Sequence, residues 1–405
     1  MKNQKALLFT LAIIQFSHIT DFMILMPLGP QLMKEFSILP DQFALLVSTY
    51  TFSAGISGFV GAFFIDRFDR KKALLVAATG FALGTLSCSV MNSYELLLLA
   101  RGLTGAFGGV LGALILSIIG DIIPNERRAS AMGIVMASFS AASVVGVPIG
   151  LFLANLSDWH FPFLVLGILA VATLIPVFIF IPTMVGHIDK CATNPSPVEI
   201  IKNVAGNSNQ LKALLFGIVI MLSHFSIVPF ISPYMVANVG FSNDQITYIY
   251  LIGGALTIFS APLIGRLADK YGRARIFMIT VVAVSLPVLL ITIIGETPIW
   301  IVLVITSLFF VFGSGRMIPS TAMVTSSVKP QNRGSFMSFN SACRQLTNGF
   351  AAYLAGLIIT AGDDGKLENY QYVGIFAILM GAVSIYISRK IKVADDDNFS
   401  NQMAK

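Results

Sequence analysis

Charged residues are scarce in this chain: Asp, Glu, Lys and Arg together make up 11% of its 405 residues. A soluble domain carries about 25% charged residues, because its surface must face water. Hydrophobic residues instead make up 56% of the chain, and its mean hydropathy is +0.82. The shortage of charge excludes a soluble enzyme of this size and indicates a protein that crosses a membrane many times.

Cysteine and histidine are rare as well, with three and four copies. Three scattered cysteines are too few for a disulfide framework or a metal site, and no two histidines have H-x-x-x-H spacing. The chain also lacks the G-x-x-x-x-G-K-[ST] loop of ATP-driven pumps and any recognisable set of nucleophile and base. We therefore predict no catalytic residues, no metal and no cofactor.

Twelve apolar stretches are long enough to span a bilayer, which takes about 20 mostly apolar residues. They cover 6–33, 43–65, 73–92, 95–119, 130–155, 161–185, 211–236, 245–268, 275–295, 298–325, 334–361 and 371–390. The first stretch follows a basic N-terminus but is too long for the apolar region of a signal peptide, so we expect it to remain as the first span. The sequence thus predicts an all-α membrane protein.

Lysine and arginine are distributed unevenly among the segments between the spans. With the N-terminus inside, 21 of the 26 basic residues lie on the cytoplasmic side, and only Lys34 and Lys366 lie outside. Such a bias follows the positive-inside rule. It predicts cytoplasmic termini and a location in the inner membrane of the cell. It also attributes the net charge of +6 to membrane orientation, so we predict the lipid bilayer rather than nucleic acid as a partner.

The two halves of the chain carry similar motifs about 203 residues apart. D-R-F-D-R at 66–70, between spans 2 and 3, corresponds to D-K-Y-G-R at 269–273, between spans 8 and 9. Two similar six-span halves are typical of secondary transporters, whose substrate site lies between the repeats. We predict an N-terminal bundle at 1–185, a linker at 186–210, a C-terminal bundle at 211–392 and a tail at 393–405.

These loops resemble the signature of the major facilitator superfamily, G-x-x-x-D-[RK]-x-G-[RK]. The copy at 265–273 matches it fully, whereas Ala62 and Asp69 stand at the glycine positions of the first copy. Span 4 has R-x-x-x-G-x-x-G from Arg101, and G-V-P-I-G at 146–150 is similar to the span 5 motif of the drug and sugar efflux branch. The resemblance implies twelve transmembrane helices in two pseudo-symmetric six-helix halves and transport by alternating access.

The loop motifs combine carboxylates with arginines at helix ends. Charge-assisted hydrogen bonds among such groups can tie neighbouring helices together, and the tie breaks when the helices separate. The alternative is that the basic residues only anchor the orientation of the chain. The residues of this predicted conformational latch are Asp66, Arg67, Arg70, Gly265, Asp269, Gly272 and Arg273.

Gly146, Pro148 and Gly150 in span 5 allow two interpretations. Small residues permit close packing of helices in a membrane. A proline flanked by glycines also permits a flexible helix bend, and its shape would bias the transporter towards efflux. The sequence does not separate the two.

Few ionisable residues lie deep within a predicted span, where a charge costs at least about 2.5–3.5 kcal/mol. Asp21 in span 1 is the only deep carboxylate, and Arg101 in span 4 lies at a similar depth. A nearby arginine favours the carboxylate and burial favours the neutral acid, so a balance of the two would let Asp21 exchange a proton. The resemblance implies that such a pair couples protons to transport; a static ion pair is the alternative.

His224 follows Asp21 by 203 residues and is its counterpart in the second half. Because histidine titrates at about pH 6.5, we group His224 with Asp21 and Arg101 as predicted proton-coupling residues. A hydrogen-bonded interior histidine is the alternative for His224, and for His18 it is the preferred interpretation.

Arg316 and Arg344 lie deep in spans 10 and 11, and the second half offers no carboxylate at that depth. Arginine keeps its proton, so neither residue is a proton carrier. One interpretation is an anionic substrate bound by both, and the other is a structural role in which they bond to carbonyl groups. Tyr50, Phe225 and Asn340 are further residues predicted to face the substrate.

Together these features indicate a monomeric secondary transporter that moves a small organic solute and is driven by the proton gradient. We predict efflux by exchange of substrate for protons, because of the span 5 motif and the Asp21–Arg101 pair. One alternative is proton symport that imports an organic anion, such as a metabolite or a siderophore-like compound. The other is a membrane receptor that transports nothing.

Overall fold

A computed structural model of the protein describes residues 2–64, 67–185, 197–329 and 333–394. These residues are almost entirely helical, and the strands among them form a short antiparallel hairpin of β1 (Thr360–Ala361) and β2 (Leu367–Glu368). Ten of the described helical segments are long and apolar enough to cross a membrane. The all-α membrane fold predicted from the sequence is confirmed.

The helices of the first half form six crossings. They are α1 (Lys2–Ile24) with α2 (Gly29–Glu35), α3 (Pro40–Phe64), α4 (Arg70–Cys88), α5 (Tyr94–Ile122), α6 (Asn125–Ala141) with α7 (Val147–Leu156), and α8 (His160–Phe180). The end of the bundle at which α1 begins is called the termini end below, and the opposite end is called the far end.

The second half repeats this arrangement after a short helix, α9 (Pro197–Gly206). Its crossings are α10 (Ser208–Phe225) with α11 (Ile231–Ala237), α12 (Asn243–Tyr271), α13 (Arg273–Ile293), α14 (Ile299–Ser326), α15 (Arg333–Ile358) and α16 (Tyr370–Ser388). α4 and α15 are the two crossings outside the set of ten, because basic residues occupy the first turn of α4 and amides and arginines interrupt α15.

The first crossing of each half is a broken helix. α1 ends at Ile24 and α2 begins at Gly29, so the single span predicted at 6–33 is wrong in detail. Pro27 in the break has no N–H to continue the helical ladder. The second half breaks at the corresponding point, where a short 3₁₀ turn containing Pro229 separates α10 from α11. The two halves therefore share a backbone irregularity as well as sequence motifs.

Glycines bring α5 against α3 at nearly the minimum distance. A Cβ added to Gly105 would lie 2.3 Å from the Tyr50 carbonyl oxygen, and one added to Gly109 would lie 2.1 Å from that of Ala54. Both obstacles are backbone atoms, which cannot rotate away as a side chain can. Small residues at helix interfaces allow this approach in membranes.

The largest apolar cluster of the described residues lies at the far end and is built from both halves. Leu46 and Phe163 of the first half and Phe230 and Ile249 of the second belong to it, and all four are fully buried. Since the cluster is continuous across the interface, the halves are packed together at this end.

The termini end is organised differently. One cluster, which includes Leu11 and Ile118, belongs to the first half alone. Another, which includes Phe216 and Phe336, belongs to the second half alone. Within the described residues, no buried apolar cluster joins the halves here as the far-end cluster does. A shared apolar cluster therefore joins the halves at the far end, whereas towards the termini end they meet where Phe59 of α3 lies against Phe339 of α15, with ring centroids 5.6 Å apart.

Polar side chains also join the halves at the far end. Gln31 Nε2 donates to Asn155 Oδ1 at 3.1 Å, and Asn155 Nδ2 donates to Asp244 Oδ1 at 3.0 Å. Gln31 and Asn155 belong to α2 and α7, whereas Asp244 begins α12 in the second half. We call these three residues the far-end tie.

Candidate functional site

Asp21 and Arg101 meet in the interior of the first half. Arg101 Nη1 donates to Asp21 Oδ2 at 2.8 Å, and both side chains are completely buried. Arg101 Nη2 also approaches the Asp21 backbone oxygen at 3.4 Å, and Thr85 Oγ1 donates to Asp21 Oδ1 at 3.1 Å. The pairing expected from the depths of the two residues is present, and each carboxylate oxygen of Asp21 has a donor.

Tyr50 covers the guanidinium of Arg101 instead of lining an open space. The Arg101 Cζ atom lies 4.5 Å from the centroid of the Tyr50 ring, a cation–π distance. Tyr50 is 1% exposed, and its hydroxyl has no hydrogen-bond partner among the described residues. Tyr50 was predicted to contact the substrate. In this conformation it packs against the Asp21–Arg101 ion pair.

His18 lies one turn before Asp21 and faces the same interior. Its ring contacts the rings of Tyr50 and Phe81, with centroids 6.3 and 5.9 Å away. A Cβ added to Gly108 would lie within 2.9 Å of both His18 Nε2 and the Tyr50 hydroxyl. Neither ring nitrogen of His18 has a hydrogen-bond partner in the described part of the chain, so the hydrogen-bonded interior role preferred from the sequence is wrong in this conformation.

His224 lies at the equivalent place in the second half and is bound to arginine rather than to an acid. Arg316 Nη2 and His224 Nδ1 are 3.3 Å apart, and Arg316 Nη1 donates to Ser223 Oγ at 2.9 Å. Ser223 Oγ in turn donates to the Ala377 carbonyl oxygen at 2.7 Å. This chain connects α14, α10 and α16 through neutral acceptors.

Arg344 points to a different place from Arg316. It lines a small pocket of about 10 Å³ together with Asn340 of the same helix, and its Nη2 contacts Met221 Sδ at 3.7 Å. The two predicted anion-binding arginines therefore have different immediate partners, although both face α10. Within the described residues, no carboxylate forms an ion pair with either.

A row of aromatic rings crosses the interface between the halves. Phe22 stacks on Tyr50 of the first half and on Phe225 of the second, with centroids 5.4 and 6.0 Å apart. Phe225 contacts the His224 ring at 5.6 Å, and His224 stacks on Phe309 at 5.8 Å. The row runs from the Asp21–Arg101 pair to the His224–Arg316 pair.

Phe225 was predicted as a site residue from the sequence, whereas Phe22 was not. A signal for Phe22 was available, because Asp21-Phe22 and His224-Phe225 are repeat counterparts. Thr85 was missed without any such signal, since a threonine in an apolar span is common and often bonds to its own helix.

The first predicted latch loop joins helices within its own half. Arg70 Nε donates to Asp121 Oδ2 at 3.1 Å, and Asp69 Oδ1 accepts from the backbone nitrogens of Lys71 and Met184 at 3.1 and 2.8 Å. These contacts connect the start of α4 with the ends of α5 and α8. Asp121, which the sequence analysis left out of the site, is the partner of Arg70. Asp66 lies outside the described residues. Arg67 is described, and its side chain is exposed.

The second latch loop is looser in this conformation. Gly272 has a φ of +95°, in the region that favours glycine, whereas the equivalent Asp69 has a φ of −56°. This difference explains why aspartate can replace glycine in the first copy. Asp269 and Arg273 are exposed, and neither forms an ion pair with another described residue. Gly265 has room for a methyl group, since an added Cβ would meet only Ile318 at 3.8 Å.

The glycine–proline motif of span 5 produces both close packing and an irregular helix. A Cβ on Gly146 would lie 2.4 Å from Thr20 Oγ1, and one on Gly150 would lie 2.5 Å from Ile24 Cδ1. The residues before Pro148, Ala142–Gly146, form a π-helical stretch between α6 and α7. Because proline lacks an N–H, the regular ladder is interrupted at this point. Close packing at Gly146 and Gly150 is therefore present, and a π-helical stretch lies just before Pro148, whereas a flexible bend that biases efflux stays a prediction.

The fold is that of an all-helical membrane protein with two six-helix halves, and its buried charges lie in the interior of each half. The family model described as Major Facilitator Superfamily matches residues 11–208 and 213–402, so the chain belongs to that superfamily. It is therefore a multi-pass membrane protein and a secondary transporter of a small-molecule substrate.

Individual relatives agree with this family. The chain is 25% identical to the uncharacterized MFS-type transporter YwfA of Bacillus subtilis, over 96% of this chain and 92% of the relative. It is 22% identical to the quinolone resistance protein NorA of Staphylococcus aureus, over 91% and 92%. The solved structure of a D-xylose-proton symporter superposes with a TM-score of 0.79 at 15% identity, covering 96% of this chain and 99% of that one. The last likeness concerns the fold alone.

Proposed function

We propose that the protein exports a small organic solute across the inner membrane in exchange for protons, with Asp21 as the proton-carrying group. The observation that carries this proposal is the completely buried Asp21–Arg101 pair. An ionisable residue in a span is costly and is by default a functional candidate. The quinolone resistance named for the relative NorA supports export as the direction.

The surroundings of Asp21 explain how its protonation would act on the whole molecule. The preceding residue, Thr20, lies against Gly146 at the π-helical stretch of span 5. The following residue, Phe22, stacks on Phe225 of the second half. Protonation of Asp21 removes the negative charge with which Arg101 pairs. It therefore weakens the charge-assisted hydrogen bond between the two residues. A small shift of α1 would then change both contacts at once.

The orientation and the division of the chain belong to the same proposal. The excess of lysine and arginine at the termini end supports cytoplasmic termini, and the divided apolar clusters then describe an inward-facing state. We assign the bundles to 1–185 and 211–392, with the linker at 186–210 and the tail at 393–405. The break in the family match between 208 and 213 supports that division. The transporter acts as a monomer.

Proton symport of an organic anion is the second candidate function. The observation that favours it is that Arg316 and Arg344 have no carboxylate partner among the described residues. The two functions predict opposite proton movements, which makes them separable.

The test uses purified protein in vesicles that contain a trapped pH-sensitive dye. Vesicles are loaded with a substrate chosen by thermal-shift screening, starting with a fluorescent quinolone, and diluted into substrate-free buffer. Substrate leaving by antiport draws protons in and acidifies the interior, whereas symport makes the interior alkaline. Protein-free vesicles correct for passive leakage.

Asp21→Asn should abolish the proton movement and retain substrate binding, because the amide cannot exchange a proton. Asp364→Asn is the matched control, since that carboxylate is exposed in the hairpin loop with Lys366 at 3.8 Å. Undiminished acidification in Asp21→Asn would overturn the role of Asp21, and an alkaline interior in the wild type would replace antiport by symport.

A further inference from the structure

Polar residues follow one another at intervals of one turn on α1. Gln15, His18 and Asp21 are each three residues apart, so each is a neighbour of the next on the helix surface. Side chains on a helix lean towards its N-terminus, so the Asp21 carboxyl group leans towards the turn that carries His18. Because α1 begins at the termini end, His18 and Gln15 lie about 4.5 and 9 Å closer to that end than Asp21.

His18 and Gln15 have buried polar atoms without partners. His18 is 9% exposed, and neither of its ring nitrogens has a hydrogen-bond partner among the described residues. The side-chain oxygen of Gln15 is likewise buried without a described partner. By contrast, Thr10 and Ser17 of the same helix donate to carbonyl oxygens one turn earlier, at 2.8 and 3.0 Å. An unpaired polar atom in the interior is costly, so a ring with two of them requires an explanation other than stability.

The hydroxyl of Tyr50 lies beside the His18 ring. A Cβ added to Gly108 would lie 2.8 Å from the Tyr50 hydroxyl and 2.9 Å from His18 Nε2, so one point lies close to both atoms. The Tyr50 hydroxyl also has no hydrogen-bond partner in the described part of the chain. Gly108 follows Arg101 by about 10 Å along α5, in the direction of the termini end. The two polar groups are therefore side by side, on the termini side of the Asp21–Arg101 pair.

Few ionisable groups surround His18. Its own helix supplies Asp21, α3 supplies Tyr50, α5 supplies the charge of Arg101, and α4 supplies the apolar ring of Phe81 at a centroid distance of 5.9 Å. Of the other helices that pack against α1, α6 carries its ionisable residues in its first turn, α8 carries one histidine at its first position, and α7 carries none. Among the described residues, Asp21 is therefore the carboxylate next to His18.

A protonated Asp21 needs an acceptor that Arg101 does not supply. In the described conformation, Arg101 and Thr85 each donate to one oxygen of the Asp21 carboxylate. Once a proton binds this carboxylate, its O–H must donate in turn, and a guanidinium has donors but no acceptor. The Thr85 hydroxyl can accept this hydrogen bond, but it does not carry the proton further. An unprotonated ring nitrogen of His18 can do both.

We propose that His18 relays the proton between Asp21 and the termini end, and that the Tyr50 hydroxyl is the next hydrogen-bonding group on this route. On release, the O–H bond of the Asp21 carboxylic acid breaks and the proton binds one ring nitrogen of His18, which leaves a carboxylate to pair with Arg101. The imidazolium then gives up the proton on its other nitrogen, by way of the Tyr50 hydroxyl, to water at the termini end. His18 is neutral before and after the transfer.

This inference rests on the proposed role of Asp21 as the proton carrier, and it adds the route of the proton. The route is the same whether the substrate moves with the protons or against them. In the described conformation both oxygens of Asp21 have donors, which is the arrangement expected after the proton has left.

The experiment follows the proton on Asp21 in the purified full chain, reconstituted in lipid nanodiscs without substrate. After a rapid drop in pH, time-resolved infrared spectroscopy records the growth of the carboxylic acid band. Asp21→Asn identifies the band, because an amide does not produce it. The rate of growth reports the route of the proton, and the midpoint of an equilibrium titration of the same band reports the proton affinity of Asp21.

His18→Gln should slow the growth of the Asp21 band about 100-fold and leave its midpoint unchanged, because the amide keeps hydrogen-bonding groups but does not take up a proton. His160→Gln is the matched control, since this histidine lies at the far end with Nδ1 3.3 Å from Asp158 Oδ1. Its rate should equal that of the wild type. A wild-type rate in His18→Gln, or a slower rate with a shifted midpoint, would overturn the relay.

Tyr50→Phe tests the next step and covers the case in which His18→Gln does not fold. The change removes a hydroxyl that has no partner among the described residues and keeps the ring that faces Arg101. The Asp21 band should grow several-fold more slowly at the same midpoint. Tyr248→Phe, on the exposed face of α12, is the control and should not change the rate. An unchanged rate in Tyr50→Phe would overturn the proposed route.

Failure of the relay and failure of the proposed function give different results. A band that is lost in Asp21→Asn but grows at the wild-type rate in His18→Gln would leave Asp21 as the proton carrier and remove the relay. A wild type without any band that depends on Asp21 would remove the proton carrier, and the proposed coupling with it.

Discussion

At the scale of single residues, Arg101 acts through the shape of its guanidinium as well as through its charge. It reaches the carboxylate of Asp21 at 2.8 Å, approaches the backbone oxygen at 3.4 Å, and presents its flat face to Tyr50. A lysine ammonium would supply the positive charge. It would supply neither the two terminal nitrogens that reach both oxygens nor the planar face that packs on Tyr50. The pair therefore depends on arginine in particular.

Arg101→Lys is expected to lower the free energy of unfolding by about 1.5–3 kcal/mol, the contribution of a hydrogen bond to a charged group. Unfolding of the purified protein in mixed micelles measures this. Arg389→Lys, at an exposed helix end, should change little. In the double variant with Asp21→Asn, the two losses should be less than additive, because both changes remove the same contact. Simple additivity would show that the pair is not coupled.

At the scale of elements, span 5 is where packing and irregular backbone meet. Its π-helical stretch touches span 1 through Gly146 and span 8 through Gly254, where an added Cβ would lie 3.1 Å from the Ser143 carbonyl oxygen. Short π-helical insertions are often found at functional sites. The stretch is placed where it can respond to movement of either neighbour.

Gly146→Ala is expected to destabilise the protein by about 1–3 kcal/mol, the usual cost of overpacking, and to reduce transport. The cause is the 2.4 Å approach of the new methyl group to Thr20 Oγ1. Gly133→Ala in the same crossing has open space around it and should stabilise the helix slightly. Thermal unfolding and vesicle flux are measured for both. Equal behaviour of the two variants would contradict the packing described here.

Pro148→Ala separates the bend from the packing. Restoring the N–H lets the regular helical ladder return without adding bulk against span 1. Reduced transport at unchanged stability would identify the bend as the working feature, and unchanged transport would leave close packing as the reason for the motif.

At the scale of the whole molecule, one apolar cluster is shared by both halves at the far end, whereas the clusters at the termini end belong to one half each. The shared apolar cluster holds the halves together without a preferred orientation. The hydrogen bonds of the far-end tie of Gln31, Asn155 and Asp244 are directional, so they also fix how the halves are aligned. Alternating access requires this end to open. The tie is small and only partly buried, which suits a contact that must be broken in each cycle.

Asn155→Ala removes both hydrogen bonds of the far-end tie and should shift the equilibrium towards opening at that end by about 2- to 10-fold per bond. Spin labels at Leu39 and Asp364, both exposed at the far end, report the distance between the halves in a background without native cysteines. The larger distances should become more populated. Asn92→Ala, at an exposed loop of the same end, is the control and should leave the distances unchanged. An unaltered distribution in Asn155→Ala would mean that the tie does not hold the closed state.

The sequence predicted the crossings, because hydropathy is readable from residue order. It placed Asp21 and Arg101 at a similar depth, and the resemblance to the superfamily implied that spans 1 and 4 are neighbours, so that the two residues can meet. It did not predict the break between Ile24 and Gly29, since the apolar run continues through it and only Pro27 marks it. Asp121 was not among the predicted site residues. Its bond to Arg70 depends on which helices are neighbours, and one sequence does not contain that information.

The two arginines predicted to bind an anion show the same limit at finer detail. Residue order placed Arg316 and Arg344 at one depth and suggested one cluster. The side chains leave their helices in different directions, so one reaches Ser223 and the other reaches Met221. Depth is a property of position along the chain, whereas direction depends on the rotation of each helix in the bundle.

The close contact between α5 and α3 has a consequence for how this chain can evolve. At Gly105 and Gly109 any side chain would meet a carbonyl oxygen of the facing helix. Substitutions of these two glycines are therefore not neutral. Leu99 and Leu103 lie on the exposed face of the same helix and can be exchanged for other apolar residues at little cost. Relatives that have diverged in substrate should therefore differ along the outer face of α5 long before they differ at its glycines.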